Sequence, residues 1–90
     1  MEKTLTLFGS NHCGQCATAL EYLRNNHINF EYVDITGSGK NLKRFLKMRD
    51  SMPLFDDVKK EGRIGIPCLS VNDGEQVFLG VEGLDLSAFR

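Results

Sequence analysis

The sequence predicts an α/β fold in which helices pack on both faces of a mixed four-stranded sheet. Segments that alternate with period two are interleaved with segments whose apolar residues recur at helical spacing, in the order β-α-β-α-(α)-β-β-α. The last two strands flank Asn72-Asp73-Gly74-Glu75, a stretch typical of a hairpin turn. Because 90 residues suffice for one core, we expect residues 1–90 to form a single domain.

The first half of the chain predicts a strand, a helix and a second strand. Residues 3–8 alternate between polar and apolar side chains and carry two threonines, which favours a strand. A helical pattern starts at Cys13 and ends near Asn25, and its expected inward face consists of Ala17, Ala19, Leu20 and Leu23. Residues 28–35 predict the second strand. Because one helix joins these two strands, we expect them to be parallel.

The second half predicts one helix, a short further helix, a hairpin and a terminal helix. Leu42, Phe45 and Leu46 lie at helical spacing, and a short helix with Pro53 in its first turn follows. The segment from Met48 to Gly62 could add a partner surface or be a plain surface insertion. The remaining elements are expected at residues 66–71 and 76–79, which are strands, and at residues 83–89, which form a short helix.

Charge and composition exclude several classes of protein. The net charge is −1, so the chain has no basic footprint for nucleic acid or for a membrane surface. Its apolar runs are far shorter than a membrane span, and MEKTLTLFGS lacks the apolar segment of a signal peptide. Three cysteines are too few for a secreted disulfide framework. We therefore expect a monomeric protein of the reducing cytoplasm with no nucleic-acid or membrane partner.

The segment Cys13-Gly14-Gln15-Cys16 lies where the first predicted strand leads into the first helix. A helix N-terminus presents free N–H groups and about half a positive charge, and both favour a thiolate. In such a setting a thiol pKa near 8.5 can fall to between about 3.5 and 7.5. Cys16 lies one turn further in, within disulfide reach of Cys13. This position predicts redox chemistry in which Cys13 attacks a disulfide and Cys16 resolves the mixed disulfide.

Other interpretations of the cysteines have less support. A static disulfide is uncommon in a reducing compartment. A structural zinc site would need four ligands, and Cys13, Cys16, Cys68 and the adjacent His12 make a poor set, so no metal is expected. Cys68 is either a small buried apolar residue or an additional resolving cysteine or ligand.

Five pieces of the sequence, in order, identify it as a member of the glutaredoxins within the thioredoxin-fold superfamily. The pair Cys13-Cys16 and the dipeptide Ile66-Pro67 are the specific pieces. The remaining ones are Leu7-Phe8-Gly9, residues 30–35, and Gly83-Leu84-Asp85. The resemblance covers nearly the whole chain. It implies the thioredoxin fold and a dithiol oxidoreductase that takes part in electron transport and cell redox homeostasis.

The resemblance also implies a substrate site. In this superfamily the proline of the Ile66-Pro67 pair is cis and faces the cysteines, and the backbone of Ile66 pairs with an extended thiol substrate. Glutathione is the co-substrate that glutaredoxins use, and no bound cofactor is expected. The segment Gly83, Leu84 and Asp85 would hold its γ-glutamyl end, with Asp85 as the acidic residue. Disulfide-containing proteins would be the further substrates.

Three positions depart from the usual glutaredoxin pattern. Ser10 stands where a lysine is common, and Gly14-Gln15 replaces Pro-Tyr between the cysteines. A glutamine before the second cysteine resembles the glutaredoxin-like electron donors of ribonucleotide reductase, which thioredoxin reductase reduces. Both electron donors, glutathione and a thioredoxin-reductase-type enzyme, therefore stay open. His12, Gly14 and Gln15, next to the cysteines, are expected to contact the substrate. His12 could also support the thiolate when protonated, or it is simply solvated.

A second class of function uses the same cysteines without catalysis. Some glutaredoxins carry an iron–sulfur cluster bridged between two chains, with glutathione as a co-ligand. Gly14 in place of a stiff proline is compatible with that arrangement. The alternative hypothesis is thus an iron–sulfur cluster or metal carrier.

Overall fold

The computed structural model of the protein describes residues 4–89, apart from the side chain of Ala88. Four strands form one sheet in the order β2-β1-β3-β4, namely β1 (Leu5–Gly9), β2 (Glu31–Asp34), β3 (Cys68–Val71) and β4 (Gln76–Leu79). The helices are α1 (Gly14–Asn25), α2 (Gly39–Arg49) and α3 (Asp56–Lys60), with 3-10 turns at Pro53–Phe55 and Leu86–Phe89. The predicted α/β class and mixed four-stranded sheet are confirmed.

The strand directions follow from the connections between strands. β1 and β2 are parallel, with Leu7 opposite Tyr32, as expected for two strands joined by a helix. β1 and β3 are antiparallel, with Leu7 opposite Leu69, and the β3–β4 hairpin is antiparallel as predicted. This order of elements and directions is the thioredoxin fold. It brings the carboxyl end of β1, where the cysteines follow, beside the amino end of β3, where Pro67 precedes Cys68.

Alternating side chains of the sheet divide the core between its two faces. One face packs on α1 and contains Leu5, Leu7, Ala19, Leu23, Ile28, Leu69, Val71, Val81 and Leu86. The other face packs on α2 and the segment after it, and contains Phe8, Val33, Ile35, Phe45, Phe55 and Cys68. Helices therefore cover both faces, as predicted. No helix within residues 4–89 is both long and apolar enough to cross a bilayer.

The inward face of α1 differs from the prediction. Its buried residues are Cys16, Ala19 and Leu23, whereas Ala17 is exposed and Leu20 is half-buried. Cys13 is the residue before the helix. Ala19 lies three residues after Cys16 and Leu23 four residues after Ala19, and these spacings define the stripe that faces the sheet. Cys16 belongs to this stripe because its thiol packs as a small apolar group.

The segment between α2 and β3 packs into the core. Phe55 is fully buried, and its ring meets the ring of Phe45 edge-on at 6.1 Å between centroids. Gly65 has a φ of +102°, and a Cβ at that position would lie 3.0 Å from the Phe55 ring. This contact fixes the chain just before Ile66-Pro67. The segment from Met48 to Gly62 is therefore more than a surface insertion, since its Phe55 packs against Gly65, just before Ile66-Pro67.

Three predicted boundaries were wrong. The strand predicted over residues 66–71 begins at Cys68, because Pro67 has no N–H for the ladder. The strand predicted over residues 28–35 covers only Glu31–Asp34. The terminal helix predicted over residues 83–89 is only the 3-10 turn Leu86–Phe89, because Gly83 has a φ of +81°, outside the helical region. The start of the first predicted strand, at Lys3, lies outside the described residues.

Candidate active site

Cys13 lies at the N-terminus of α1 as its capping residue. Its backbone is extended, and its Sγ accepts the Cys16 N–H at 3.3 Å. The side chain is half-buried and the thiol is free. A helix N-terminus presents free N–H groups and the positive end of the helix dipole, and the Cys13 sulfur contacts one of those N–H groups. The chain therefore places its more accessible sulfur at the positive end of α1.

Cys16 lies one turn later and is buried, with 1% of its surface exposed. It packs against Gly9 at the end of β1, where an added Cβ would lie 3.1 Å from the Cys16 Cβ and 3.3 Å from its Sγ. Burial, followed by the hydrogen bond with Cys13, raises the pKa of the Cys16 thiol to about 12. At neutral pH, Cys16 is therefore a protonated thiol while it is reduced.

A chain of hydrogen bonds holds the cysteine loop, which we define as residues 9–16. The Thr36 hydroxyl donates to Asp34 Oδ1 at 2.6 Å, so the Ser10 hydroxyl, 3.0 Å from Thr36 Oγ1, donates to Thr36. Ser10 Oγ in turn accepts the His12 N–H at 3.1 Å, and Ser10 O accepts the Cys13 N–H at 3.1 Å. Ser10 thus ties the loop to the residues after β2.

Asp34 carries the negative charge that lies near this loop. Hydrogen bonds from the Thr36 hydroxyl and the Thr36 N–H hold the pKa of Asp34 below its ordinary value, with smaller effects from Asn11 and His12. Burial raises the pKa of Tyr32, and the charge of Asp34 adds to that rise. The Tyr32 hydroxyl donates to Asn11 Oδ1 at 3.1 Å. Asp34 also contributes to the raised pKa of Cys16, so it helps to keep that thiol protonated.

A groove of about 370 Å³ lies beside the start of α1. One side consists of Gln15, Thr18 and Ala19 of α1. The other side, which we call the groove wall, comes from Arg63 with residues 65–67 and from residues 79–82, and Val58 completes the lining. The Ile66-Pro67 peptide bond is cis, as the resemblance implied. Gly80 N–H donates to Pro67 O at 2.9 Å, which joins the two segments of the wall.

The structure brings some of the predicted binding residues together and leaves others outside the groove. Gln15, Ile66 and Pro67 line it. Gly14 is the exposed first residue of α1, and His12 is exposed on the cysteine loop. Gly83, Leu84 and Asp85 follow the lining residue Glu82 along the chain, and Asp85 Oδ1 accepts the Ser87 N–H at 3.0 Å, at the start of the last 3-10 turn.

Two charged residues of the groove were absent from the predicted site. Arg63 and Glu82 both line it, one from each segment of the wall. Arg63 also pairs with Glu61 at 2.7 Å on the exposed surface. Arg63 stands four residues before Pro67, and this proximity in sequence was the available signal. No signal in the sequence pointed to Glu82, because its position in the groove depends on how the chain turns after β4.

Cys68 is fully buried on the sheet face that carries Phe8. Burial raises the pKa of its thiol to about 12. The interpretation of Cys68 as a small buried residue is confirmed. Among residues 4–89, no group of three or more histidine, cysteine or acidic side chains is arranged to hold a metal ion.

Comparison with known proteins gives the family. The glutaredoxin family model matches residues 5–77, which include both cysteines and Pro67. An uncharacterized protein of Haemophilus influenzae (strain ATCC 51907 / DSM 11121 / KW20 / Rd) is 34% identical over 84 residues, covering 93% of this chain and 91% of the relative. The chain therefore belongs to the glutaredoxin family, and the family supports a role in thiol–disulfide chemistry.

Proposed function

We propose that the protein is a thiol–disulfide oxidoreductase that reduces disulfides or glutathione mixed disulfides with Cys13 and Cys16. The observation that carries this proposal is the contrast between the two thiols. Cys13 is accessible and its Sγ accepts a helix N–H, whereas Cys16 is 1% exposed with a pKa raised to about 12. Cys13 Sγ is thereby suited to attack a substrate disulfide, and Cys16 Sγ is suited to resolve the mixed disulfide afterwards.

In the first step, the Cys13 thiolate attacks one sulfur of a substrate disulfide. A bond forms between Cys13 Sγ and that sulfur, the substrate S–S bond breaks, and the second substrate sulfur leaves as a thiolate that takes a proton from water. The product is a mixed disulfide on Cys13. The negative charge of Cys13 is consumed, so the interaction that favoured the thiolate at the helix N-terminus is given up.

In the second step, Cys16 loses its proton and attacks Cys13 Sγ. The Cys13–Cys16 disulfide forms, the mixed disulfide breaks, and the bound substrate half leaves as a thiol. Two electrons have then passed from the two cysteines to the substrate. Once Cys13 is neutral, its charge no longer opposes ionisation of Cys16, so that part of the raised Cys16 pKa disappears.

The groove beside the cysteines suits an extended thiol substrate. Ile66 and Pro67 supply a backbone wall, and Gln15 lies opposite on α1. Arg63 adds a guanidinium that can pair with a carboxylate of glutathione, whereas Glu82 can pair with its amino group. Glutathione is the co-substrate that this groove favours. Gly83, Leu84 and Asp85 would extend the contact beyond Glu82.

The electron donor can be identified by following NADPH oxidation with the oxidised protein. We expect NADPH to be consumed when glutathione and glutathione reductase are supplied. A parallel assay supplies thioredoxin reductase and no glutathione. Cys13→Ser should abolish either activity, whereas Cys68→Ala, which removes a buried thiol away from the groove, should retain it. Full activity of Cys13→Ser would contradict the mechanism. Activity with thioredoxin reductase alone would keep the dithiol chemistry and replace the donor.

A further inference from the structure

A second cavity, of about 380 Å³, lies on the face of the sheet opposite to α1. Its base is formed by Thr6 and Phe8 of β1 and by Ser70 of β3. The other lining residues come from α2, the turn after it and the β3–β4 hairpin, namely Arg44, Lys47, Met48, Ser51, Met52, Asp73 and Gly74. The cavity shares no lining residue with the groove beside the cysteines.

Two hydroxyl groups form the floor of this cavity. Thr6 and Ser70 are directly opposite each other on neighbouring strands, and they are 1% and 2% exposed. Neither hydroxyl has a hydrogen-bond partner within residues 4–89. Buried hydroxyls are normally hydrogen-bonded, since an unpaired one lowers stability. Two such groups side by side at the base of a cavity are a polar recognition element for a molecule that enters it.

The walls and the mouth have different chemistry. Phe8 is buried, and Met48 and Met52 give adaptable apolar walls. At the mouth, Arg44 already pairs with Glu31 at 3.3 Å and Asp73 at 3.8 Å.

Lys47 supplies the charge available to a ligand. It is exposed at the mouth and has no ion-pair partner within residues 4–89. The charges of Arg44, Lys47, Glu31 and Asp73 sum to zero, but both carboxylates lie at Arg44 and neither pairs with Lys47. Lys47 is therefore the group at the mouth with which a ligand carboxylate would pair.

We propose that this cavity binds a small amphipathic monoanion. Its carboxylate lies at Lys47, its apolar body contacts Phe8 and the two methionines, and a hydroxyl or carbonyl at its far end bonds to Thr6 and Ser70. The volume is at the lower end of the range of about 300–1,000 Å³ typical of ligand pockets, which fits a small molecule with one ring. The protein then has two sites, one at each face of the sheet, with separate chemistry.

Calorimetric titration with 4-hydroxybenzoate, with benzoate as the matched probe, tests the site. The full chain should bind 4-hydroxybenzoate with a Kd of about 1 mM or tighter, as expected for about ten non-hydrogen atoms. Benzoate lacks the far hydroxyl and should bind about tenfold more weakly. Thr6→Val keeps the shape of the side chain and should remove that difference between the two probes. Ser70→Ala provides the same test at the facing residue.

The charge at the mouth is tested separately. Lys47→Gln should weaken both probes about tenfold, whereas Lys43→Gln, on the same helix but outside the cavity lining, should leave both unchanged. Cys13→Ser should bind like the unmodified chain, so this result is independent of the redox function. Absence of binding at about 10 mM 4-hydroxybenzoate would overturn the proposal. Unchanged affinity in both Thr6→Val and Ser70→Ala would also overturn it.

Discussion

The cysteine loop and the groove wall border the same groove but are built in different ways. The cysteine loop is one continuous stretch, and its geometry comes from a helix cap and the hydrogen bonds of Ser10. The groove wall is assembled from one segment before β3 and one that starts at the last residue of β4, and a hydrogen bond from Gly80 N–H to Pro67 O joins them. The residues of the proposed chemistry are therefore positioned by local structure, whereas the proposed substrate recognition depends on how distant segments meet.

The largest expected effect separates attack from resolution within the cysteine loop. Cys16→Ser should slow the reduction of a protein disulfide at least about a hundredfold, because the mixed disulfide on Cys13 has no internal thiol to release it. Mass spectrometry of the quenched reaction should detect that adduct. Reduction of a small glutathione mixed disulfide, which a second glutathione can complete, should persist.

The matched control for this variant is Cys68→Ala. It also removes a buried thiol, but one whose register places it beside Phe8 in the core. Rapid turnover of a protein disulfide by Cys16→Ser, with no adduct on Cys13, would assign resolution to a different group.

The next effect concerns recognition by the groove wall. Arg63→Gln should raise KM for a glutathione mixed disulfide about fivefold and leave kcat nearly unchanged, because an exposed pair adds uniform binding. Steady-state kinetics against Lys60→Gln, which removes an exposed positive charge outside the groove lining, provides the control. A fall in kcat of about fivefold would instead place Arg63 in the chemical step. The groove wall would then contribute to the chemistry as well as the cysteine loop.

A smaller effect is expected from the hydrogen bonds that hold the cysteine loop. Thr36→Val removes the hydroxyl that links Ser10 to Asp34, and it should lower the free energy of unfolding by about 1 kcal/mol. Urea denaturation measures this change. Thr18→Val is the control, since its exposed hydroxyl bonds only to Gly14 O within α1. Equal losses in both variants would mean that Thr36 has no special part in holding the loop.

A further effect, confined to alkaline pH, is a pH dependence of stability that reports on thiol burial. The pKa of Cys68 rises from 9.0 to about 12 on folding, so its contribution is complete below pH 9 and is lost as the pH rises toward 12. Cys68→Ala should therefore lose less stability than the unmodified chain between about pH 9 and 11, by urea denaturation at each pH. Identical slopes would mean that Cys68 ionises as readily in the folded chain as in the unfolded one.

Local patterns predicted where the cysteines lie in the fold, and contacts between distant segments explain what these patterns missed. The helix that begins directly after Cys13, the parallel pair β1–β2 and the hairpin at Asn72-Asp73 follow from periodicity and turn chemistry, which act over a few residues. The end of the chain does not, because Gly83 adopts a positive φ that no spacing pattern reveals. Glu82 reaches the groove through the turn after β4, where Gly80 also has a positive φ, of +91°.

The burial of Thr6 and Ser70 is a second feature that local sequence patterns did not predict. Both are polar residues in strands, and alternation alone would place them on a solvated face. α2 covers that face, so the two hydroxyls lie inside the molecule. The packing of a helix onto a sheet is a tertiary contact between distant segments, so no short stretch of sequence predicts it.

The most direct test of the central claim is the order in which the three thiols react. The reduced chain is treated with less than one equivalent of iodoacetamide at pH 7, and the modified cysteine is identified by peptide mass spectrometry. The structure predicts alkylation of Cys13 almost alone, because Cys16 and Cys68 are buried and their thiol pKa values are raised to about 12. Modification of Cys16 before Cys13 would contradict the assignment of nucleophile and resolving thiol.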